Sequence, residues 1–240
     1  MVLKYIRFFF ITILFFLVGL LGTLFSMLRP FHPHNAFIFA RLLGKPGLWI
    51  LGLRSRIENH EGLYKPRPCV FISNHQHNLD ILPCAQWMSP GTVSLGKKSI
   101  RKIPFFGQFY WLSGNVLIDR NNKKSALQTM DQAAEAINKR NLSIWMMPEG
   151  TRHKGPGVKA FKKGPFYTAI KAQVPIVPVA INRYSDRLNF TNWVSGEMLA
   201  RVYEPISTAG MGPEDVDALM ERCYQIVSRG VAELDSLSKV

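Results

Sequence analysis

The sequence predicts an α/β protein: a mostly parallel β-sheet flanked by helices, preceded by an N-terminal membrane-embedded helical motif. Three observations predict it. Short runs of β-branched and aromatic residues alternate with helical periodicity from about residue 53 onward, the pattern of strand–helix units that builds a parallel sheet. Several of these strand runs end in polar or charged turns, where open α/β sheets place their chemistry. Phe8 to Leu28 is a run of 21 residues without a charge. As a helix it is about 31 Å long at roughly 1.5 Å per residue, which matches a bilayer core of about 30 Å.

Residues 1–52 are therefore expected to form a membrane-seated helical hairpin and 53–240 an α/β domain. Lys4 and Arg7 precede the apolar run, and Arg29-Pro30 follows it where a cleaved signal would carry small residues. Arg41 and Lys45 add positive charge on the far side, so the positive-inside tendency does not orient the segment. His32 to Leu53 is a second helical candidate, carrying Phe37, Ile38, Leu42, Leu43, Trp49 and Leu51; Gly44, Pro46 and Gly47 are expected to break it. A segment lying in the interface would leave both ends of the hairpin on one face.

Within the domain, 53–61 reads as an edge strand with Arg54, Arg56 and Ile57 in alternation, and 62–68 as a Gly/Pro loop. Pro68 to Ile72 is a buried strand, with a helix expected from about Ile81 because Asp80 and Pro83 suit a first turn. Thr92 to Gly96 is a second strand and Val116 to Ile118 a third. Between them, Ile103 to Leu112 is unusually aromatic and suits either core packing or a lipid-facing wall. Ser125 to Lys139 is an amphipathic helix, with Leu127, Met130, Ala134 and Ile137 on one face and Ser125 as cap. Leu142 to Met147 is a fourth strand, 165–172 a helix, and Val174 to Ile181 a buried strand with Pro175 at its start, Pro178 being unusual inside a strand. Met198 to Tyr203 is a last strand. A final helix begins at Gly212-Pro213-Glu214-Asp215 and carries Val216, Leu219, Cys223, Ile226 or Val227, Leu234 and Leu237 as its apolar stripe.

Composition bounds the partners. Thirty Lys and Arg against 16 Asp and Glu give a formal charge of +14. Such an excess implies a nucleic acid, a membrane surface or a phosphorylated substrate, the bland alternative being a solvated surface. Cys69, Cys84 and Cys223 are odd in number and lack C-x-x-C spacing, which argues against a disulfide framework or a zinc site. Cys69 and Cys84 read as small core hydrophobes in a reducing, cytoplasmic environment.

The chemistry centres on Ser73-Asn74-His75-Gln76-His77-Asn78-Leu79-Asp80 at the end of the first buried strand. On one continuous helix, His75 and Asp80 would diverge by about 140°. A turn through Gln76-His77-Asn78 brings them together, letting Asp80 fix the imidazole tautomer and leaving the other ring nitrogen as a general base. His77 is spaced wrongly for that partnership. Arg120 leaves the third strand, where a guanidinium fork suits phosphate. Met147-Pro148-Glu149-Gly150-Thr151-Arg152 leaves the fourth strand, with Glu149 expected to orient Arg152 or the acceptor. Lys97, or backbone N–H groups near Gly150, are candidate oxyanion donors. Gly164, at a helix N-terminus, offers N–H groups to an anion, and Lys97, Lys98, Lys162 and Lys163 add positive potential. Gly155-x-Gly157 does not open a helix and is no nucleotide fingerprint. With no G-x-S-x-G, an acyl-serine intermediate is unsupported.

His-x4-Asp after Asn74, the downstream Glu149-Gly150-Thr151-Arg152, and four ordered blocks from about Cys69 to Ile181 resemble the glycerolipid acyltransferase family, and within it the bacterial members that act on 1-acylglycerol 3-phosphate. The resemblance implies transfer of a fatty acyl group from acyl-CoA or acyl-carrier protein to the sn-2 hydroxyl of lysophosphatidate, giving phosphatidic acid. It further implies His75 and Asp80 as catalytic residues, with Arg120, Glu149, Gly150, Thr151 and Arg152 around the substrate, to which the charge and helix-start readings above add Lys97, Lys162 and Gly164. No metal or cofactor is expected beyond the co-substrate, and no nucleic acid. The expected location is the bacterial inner membrane, with the catalytic domain on the cytoplasmic side. His153 stands where the family commonly has Ser after the Arg. Competing readings are an acyltransferase for glycerol 3-phosphate or another lysolipid, and a membrane-anchored, non-catalytic binder of anionic lipid or nucleic acid. The binder has no need of a His–Asp pair.

Overall fold

The computed structural model of the protein describes residues 1–32, 34–119 and 123–238. Seven strands form one sheet: β1 (Leu53–Glu58), β2 (Val70–Ser73), β3 (Thr92–Lys97), β4 (Val116–Ile118), β5 (Ser143–Met146), β6 (Ile176–Ile181) and β7 (Gly196–Val202). Their spatial order is β1-β7-β6-β2-β5-β3-β4. All neighbours are parallel except β6 and β7. The exits of β2, β3, β4, β5 and β6 therefore share one rim. β1 is an edge strand, as its alternation predicts.

Side-chain alternation divides the core in two. Val70, Ile72, Ile144, Met146 and Ile176 point into one apolar cluster, which is closed by α5 (Lys123–Arg140), α6 (Gly164–Ala172) and α7 (Val216–Leu237). Phe71, Trp145, Val177, Val179 and Ile181 point into the other, closed by α2 (Asn35–Leu51), α3 (Ile81–Trp87) and α4 (Phe106–Leu112). The free thiols of Cys69, Cys84 and Cys223 are buried within these layers.

α1 (Val2–Leu28) is long and apolar enough to cross a membrane by length and composition. It is also fastened to the domain along its length. Near its start, Arg7 is buried, its guanidinium donating to the carbonyls of Phe190 (3.0 Å), Asn192 (2.5 Å) and Trp193 (2.7 Å) and to Ser195 Oγ (2.7 Å). Further on, Phe15 stacks on Phe106 at 4.3 Å and Thr23 Oγ1 donates to Phe105 O at 2.8 Å. Gly22 is the close-approach residue: a Cβ there would lie 2.6 Å from the Phe109 ring. Arg7 is thus a clamp between α1 and the 190–195 turn.

The fold corrects other expectations. α2 passes through Gly44, Pro46 and Gly47 unbroken. Cβ atoms at Gly44 and Gly47 would meet the backbone of Gln86 at 2.5 Å and the side chain of Leu82 at 2.8 Å, so both glycines serve tight packing on α3. Pro178 does sit in a central strand. It faces Tyr203, one residue past the end of β7, where only the Pro178 carbonyl is used, accepting from Tyr203 N at 2.9 Å. α5 starts at Lys123, so Ser125 is inside the helix and is not its cap. In the aromatic segment, Phe106, Phe109 and Tyr110 are buried while Phe105 and Trp111 are exposed, so it serves both as core and as surface. Of the α7 stripe, Val216, Leu219, Cys223 and Leu234 are buried, Val227 and not Ile226 is the fully buried one of that pair, and Leu237 is exposed.

Candidate active site

β2 ends at Ser73, whose hydroxyl accepts from the buried Trp145 indole N–H at 2.9 Å. The chain then turns across the rim. Asn74 exchanges two hydrogen bonds with the Ile181 backbone, Nδ2 to O and Oδ1 from N, both 2.8 Å, which ties the loop to the exit of β6. A short 3₁₀ turn over Asn78–Asp80 brings Asp80 back beneath His75.

His75 Nδ1 lies 2.6 Å from Asp80 Oδ2. That oxygen also accepts the backbone N–H groups of Gln76 (2.8 Å) and His77 (3.0 Å), and Oδ1 accepts the Tyr184 hydroxyl. Asp80 is sealed from water while the His75 side chain remains 19% exposed. With Nδ1–H held by the carboxylate, Nε2 is the ring nitrogen left to face a substrate. His77 takes a different part: its Nδ1 accepts from Leu79 N at 3.2 Å and caps the 3₁₀ turn. Burial, together with the cations of Lys154 and Arg152, holds its pKa below the ordinary histidine value despite the attraction of Asp80. That places Arg152 within electrostatic reach of the loop.

Of the two expected roles of Glu149, the pairing with Arg152 is not the one seen. It is buried, and its carboxylate accepts from His75 N at 2.6 Å and Lys159 N at 3.2 Å. Among the described residues it makes no ion pair with Arg152. His153 N donates to His75 O at 2.8 Å, so residues 149–153 hold the His75 peptide at both ends. Burial pushes the Glu149 carboxyl above the usual range, opposed by these two N–H donors.

Gly150 adopts a left-handed φ of +68°, and Lys162 lies over it, its Nζ 2.9 Å from where a Cβ would be. A side chain at 150 would therefore be strained and would also displace that ammonium. The Gly150 N–H itself is taken up by Met147 O at 3.0 Å. Thr151 and Arg152 are exposed on the same turn, with Thr151 Oγ1 near Arg152 O at 3.2 Å. Lys97 ends β3, exposed on the shared rim but separated from β2 by β5.

Gly164 opens α6, where it closes on Met130 of α5, a Cβ there lying 3.1 Å from Sδ. Its neighbour Lys163 pairs with Asp217 of α7 at 2.7 Å, and Lys98 approaches Asp119 at 3.9 Å. These two lysines are thus partly neutralised. Arg120 lies outside the described residues. Among those described, no cluster of His, Cys, Asp and Glu suits a metal ion.

Sequence reasoning missed Tyr184, Asn182 and Arg7. Each meets its partner across a sequence separation that no local motif spans.

Comparison with known proteins gives the family and the fold. A family model described as Acyltransferase matches residues 54–182. The chain is 39% identical over 234 residues to a 1-acyl-sn-glycerol-3-phosphate acyltransferase of Haemophilus influenzae, covering 97% of each. It is 36% identical over 219 residues to the Escherichia coli protein of the same name, covering 91% of this chain and 89% of that one. In fold it is similar to the crystal structure of the 1-acyl-sn-glycerophosphate (LPA) acyltransferase PlsC from Thermotoga maritima, with a TM-score of 0.77 and 24% identity over 97% of this chain and 95% of that chain. A sheet rim that holds an imidazole against a buried carboxylate, within a matched span of more than half the sequence, makes this chain a member of the acyltransferase family.

Proposed function

We propose that this enzyme transfers a fatty acyl group from a thioester donor to the sn-2 hydroxyl of 1-acylglycerol 3-phosphate, giving phosphatidic acid. The observation that carries the reading is the 2.6 Å bond between His75 Nδ1 and Asp80 Oδ2, with the imidazole open to the rim and the carboxylate closed from water. The names of the relatives above support the acceptor.

In the proposed reaction His75 Nε2 takes the proton of the sn-2 hydroxyl while that oxygen attacks the thioester carbonyl. The carbon–oxygen bond forms, the tetrahedral intermediate collapses with loss of the carbon–sulfur bond, and the imidazolium returns its proton to the leaving thiolate. Such general-base action contributes about 10²–10⁴-fold. Asp80 stabilises the imidazolium. Glu149 and His153 hold the His75 peptide so that the ring stays aimed. Arg152 and Lys162, gathered around Gly150 and Thr151, bind the acceptor phosphate, and Arg120 is assigned the same task from its place in the sequence after β4. Lys97 and the backbone N–H groups next to Gly150 are the oxyanion candidates. Acyl-CoA or acyl-carrier protein is the co-substrate, and the scheme needs no metal or cofactor.

Residues 1–52 seat the enzyme in one leaflet, with the 53–240 domain on the cytoplasmic face of a bacterial inner membrane. Three observations support the membrane seating; the cytoplasmic side is part of the proposal. The outer face of α1 is apolar and exposed from Phe8 to Leu28. Its inner face is fastened to the domain over that same length. Trp193, whose carbonyl Arg7 holds, and Trp49, three residues before Gly52 at the same guanidinium, are both exposed. Tryptophan favours the membrane–water interface.

The decisive assay is purified full-length protein with labelled acyl-CoA and a panel of lysophosphatidate, glycerol 3-phosphate and other lysolipids, read by product identity. Phosphatidate as the main product is expected, and none from His75→Ala. Acylation of glycerol 3-phosphate in preference to lysophosphatidate would overturn the acceptor assignment.

A further inference from the structure

The turn after β6 is built around the His75 loop. Ile181 exchanges two bonds with Asn74, the Asn182 carbonyl accepts from Gln76 Nε2 at 2.7 Å, and Ser185 N donates to Gln76 Oε1 at 3.2 Å. Between them Tyr184, only 1% exposed, donates its hydroxyl to Asp80 Oδ1. The span matched by the family model ends at residue 182, and the sequence motifs end at Ile181, so neither reaches this tyrosine.

The geometry gives the hydroxyl a defined task. Asp80 Oδ2 receives three donors: the His75 ring and the N–H groups of Gln76 and His77. Oδ1 is buried with it and receives Tyr184. A buried carboxylate oxygen without a donor is costly, and the carboxylate would rotate to find one. Bonds on both oxygens fix the carboxylate plane, so Oδ2 stays aimed at His75 Nδ1. Phenylalanine would fill the same space but offer no donor. Burial, with the negative charge of Asp80, pushes the Tyr184 phenol well above its ordinary value, so the group remains a donor across the working range. The other titratable groups facing Asp80 are His75 and His77 from the loop and Cys84 from α3, and the last is also held protonated by burial.

We propose that Tyr184 is a positioning residue for acyl transfer, acting through Asp80: its hydroxyl fixes the carboxylate that orients the base. The inference rests on His75 being the base.

The test is Tyr184→Phe in the full-length protein in detergent micelles, assayed with acyl-CoA and lysophosphatidate. The expected kcat is about tenfold lower, the effect of one hydrogen bond to a charged group, with the acceptor KM unchanged. Introduced into an Asp80→Asn background, the same change is expected to cost clearly less than in the parent. A purely structural role would lower activity in step with the folded fraction read by thermal melting. That result overturns the proposal, as does a parental kcat throughout or an equal loss in both backgrounds. If His75→Ala remains active, the assignment of the base has failed; if His75→Ala is inactive and Tyr184→Phe is normal, only the role of Tyr184 has failed.

Discussion

Asp80→Asn separates the charge of this side chain from its geometry. All the groups around the carboxylate are donors: the His75 ring, the N–H groups of Gln76 and His77, and the Tyr184 hydroxyl. An asparagine with its oxygen in the Oδ2 position still accepts the first three. Its amide then faces Tyr184, whose hydroxyl can accept as readily as donate. What is lost is the negative charge beside the imidazolium that forms as the acceptor is deprotonated. Two charges about 4 Å apart at an effective dielectric of about 20 interact by about 4 kcal/mol. The His75 side chain is 19% exposed, so solvent screens part of this and about 3 kcal/mol remains. The expected result is a fall in kcat on the order of 10²-fold, at about 1.4 kcal/mol per decade. The acceptor KM should stay within about threefold, because Asp80 makes no contact in the proposed phosphate site. Release of thiol from acyl-CoA at saturating donor gives the rate, and a melting curve reports the fold. A kcat within threefold of the parent refutes the electrostatic argument. A large loss with a collapsed melting temperature refutes the claim that asparagine preserves the geometry.

Glu149→Gln should keep its oxygen on His75 N and lose the bond to Lys159 N, lowering kcat by about tenfold at roughly 1–2 kcal/mol for the misplaced loop. Full activity would show that the bond from Lys159 N to Glu149 does not help to hold the His75 loop. The same variant tests a pH dependence. Burial raises the carboxyl of Glu149 in the folded state, so its contribution to stability is fully present below the unfolded value and is lost as pH rises through the folded one. The stability of the parent relative to Glu149→Gln should therefore decline across that window in urea titrations, and a constant difference would contradict the assignment. Arg152→Ala should raise the lysophosphatidate KM by about tenfold or more, the worth of one charge-assisted bond, and leave kcat nearly unchanged; an unaltered KM would remove Arg152 from the phosphate site. Arg7→Ala leaves the carbonyls of Phe190, Asn192 and Trp193 without their shared donor. A loss of about 3 kcal/mol follows, which for a chain of this size lowers the melting temperature by about 6–12 °C. An unchanged melting curve in detergent would show that the clamp contributes nothing.

Much of the fold was legible because it is written locally. Runs such as Val70-Phe71-Ile72 and Ile176 to Ile181 declare strands by composition, and Asp80 and Gly212 mark helix starts by their turn chemistry. The His75–Asp80 pair was legible for the same reason, since a single turn joins the two residues. What was not legible depends on partners far away in the chain. Gly44 and Gly47 read as helix breakers until α3 lies against them. Glu149 reads as the partner of Arg152, its near neighbour in sequence, until β5 is placed beside β2 and the His75 N–H comes within reach. Tyr184 meets Asp80 across 104 residues, and Arg7 meets Asn192 across 185. Hydrogen bonds of this kind are fixed by sheet order, which no local pattern specifies.

The fastening of α1 to the domain bears on how a water-soluble form of this enzyme can be made. Cutting the chain before α2 would not free a self-sufficient catalytic unit. It would strip the cover from Phe106 and Phe109 and leave the 190–195 turn without its central cation, so the product should aggregate. The workable route keeps the helix and repaints it. Polar replacements at Phe9, Ile13, Leu17, Leu20 and Leu24 alter only the exposed side, while Arg7, Gly19, Gly22 and Thr23 remain to grip the domain.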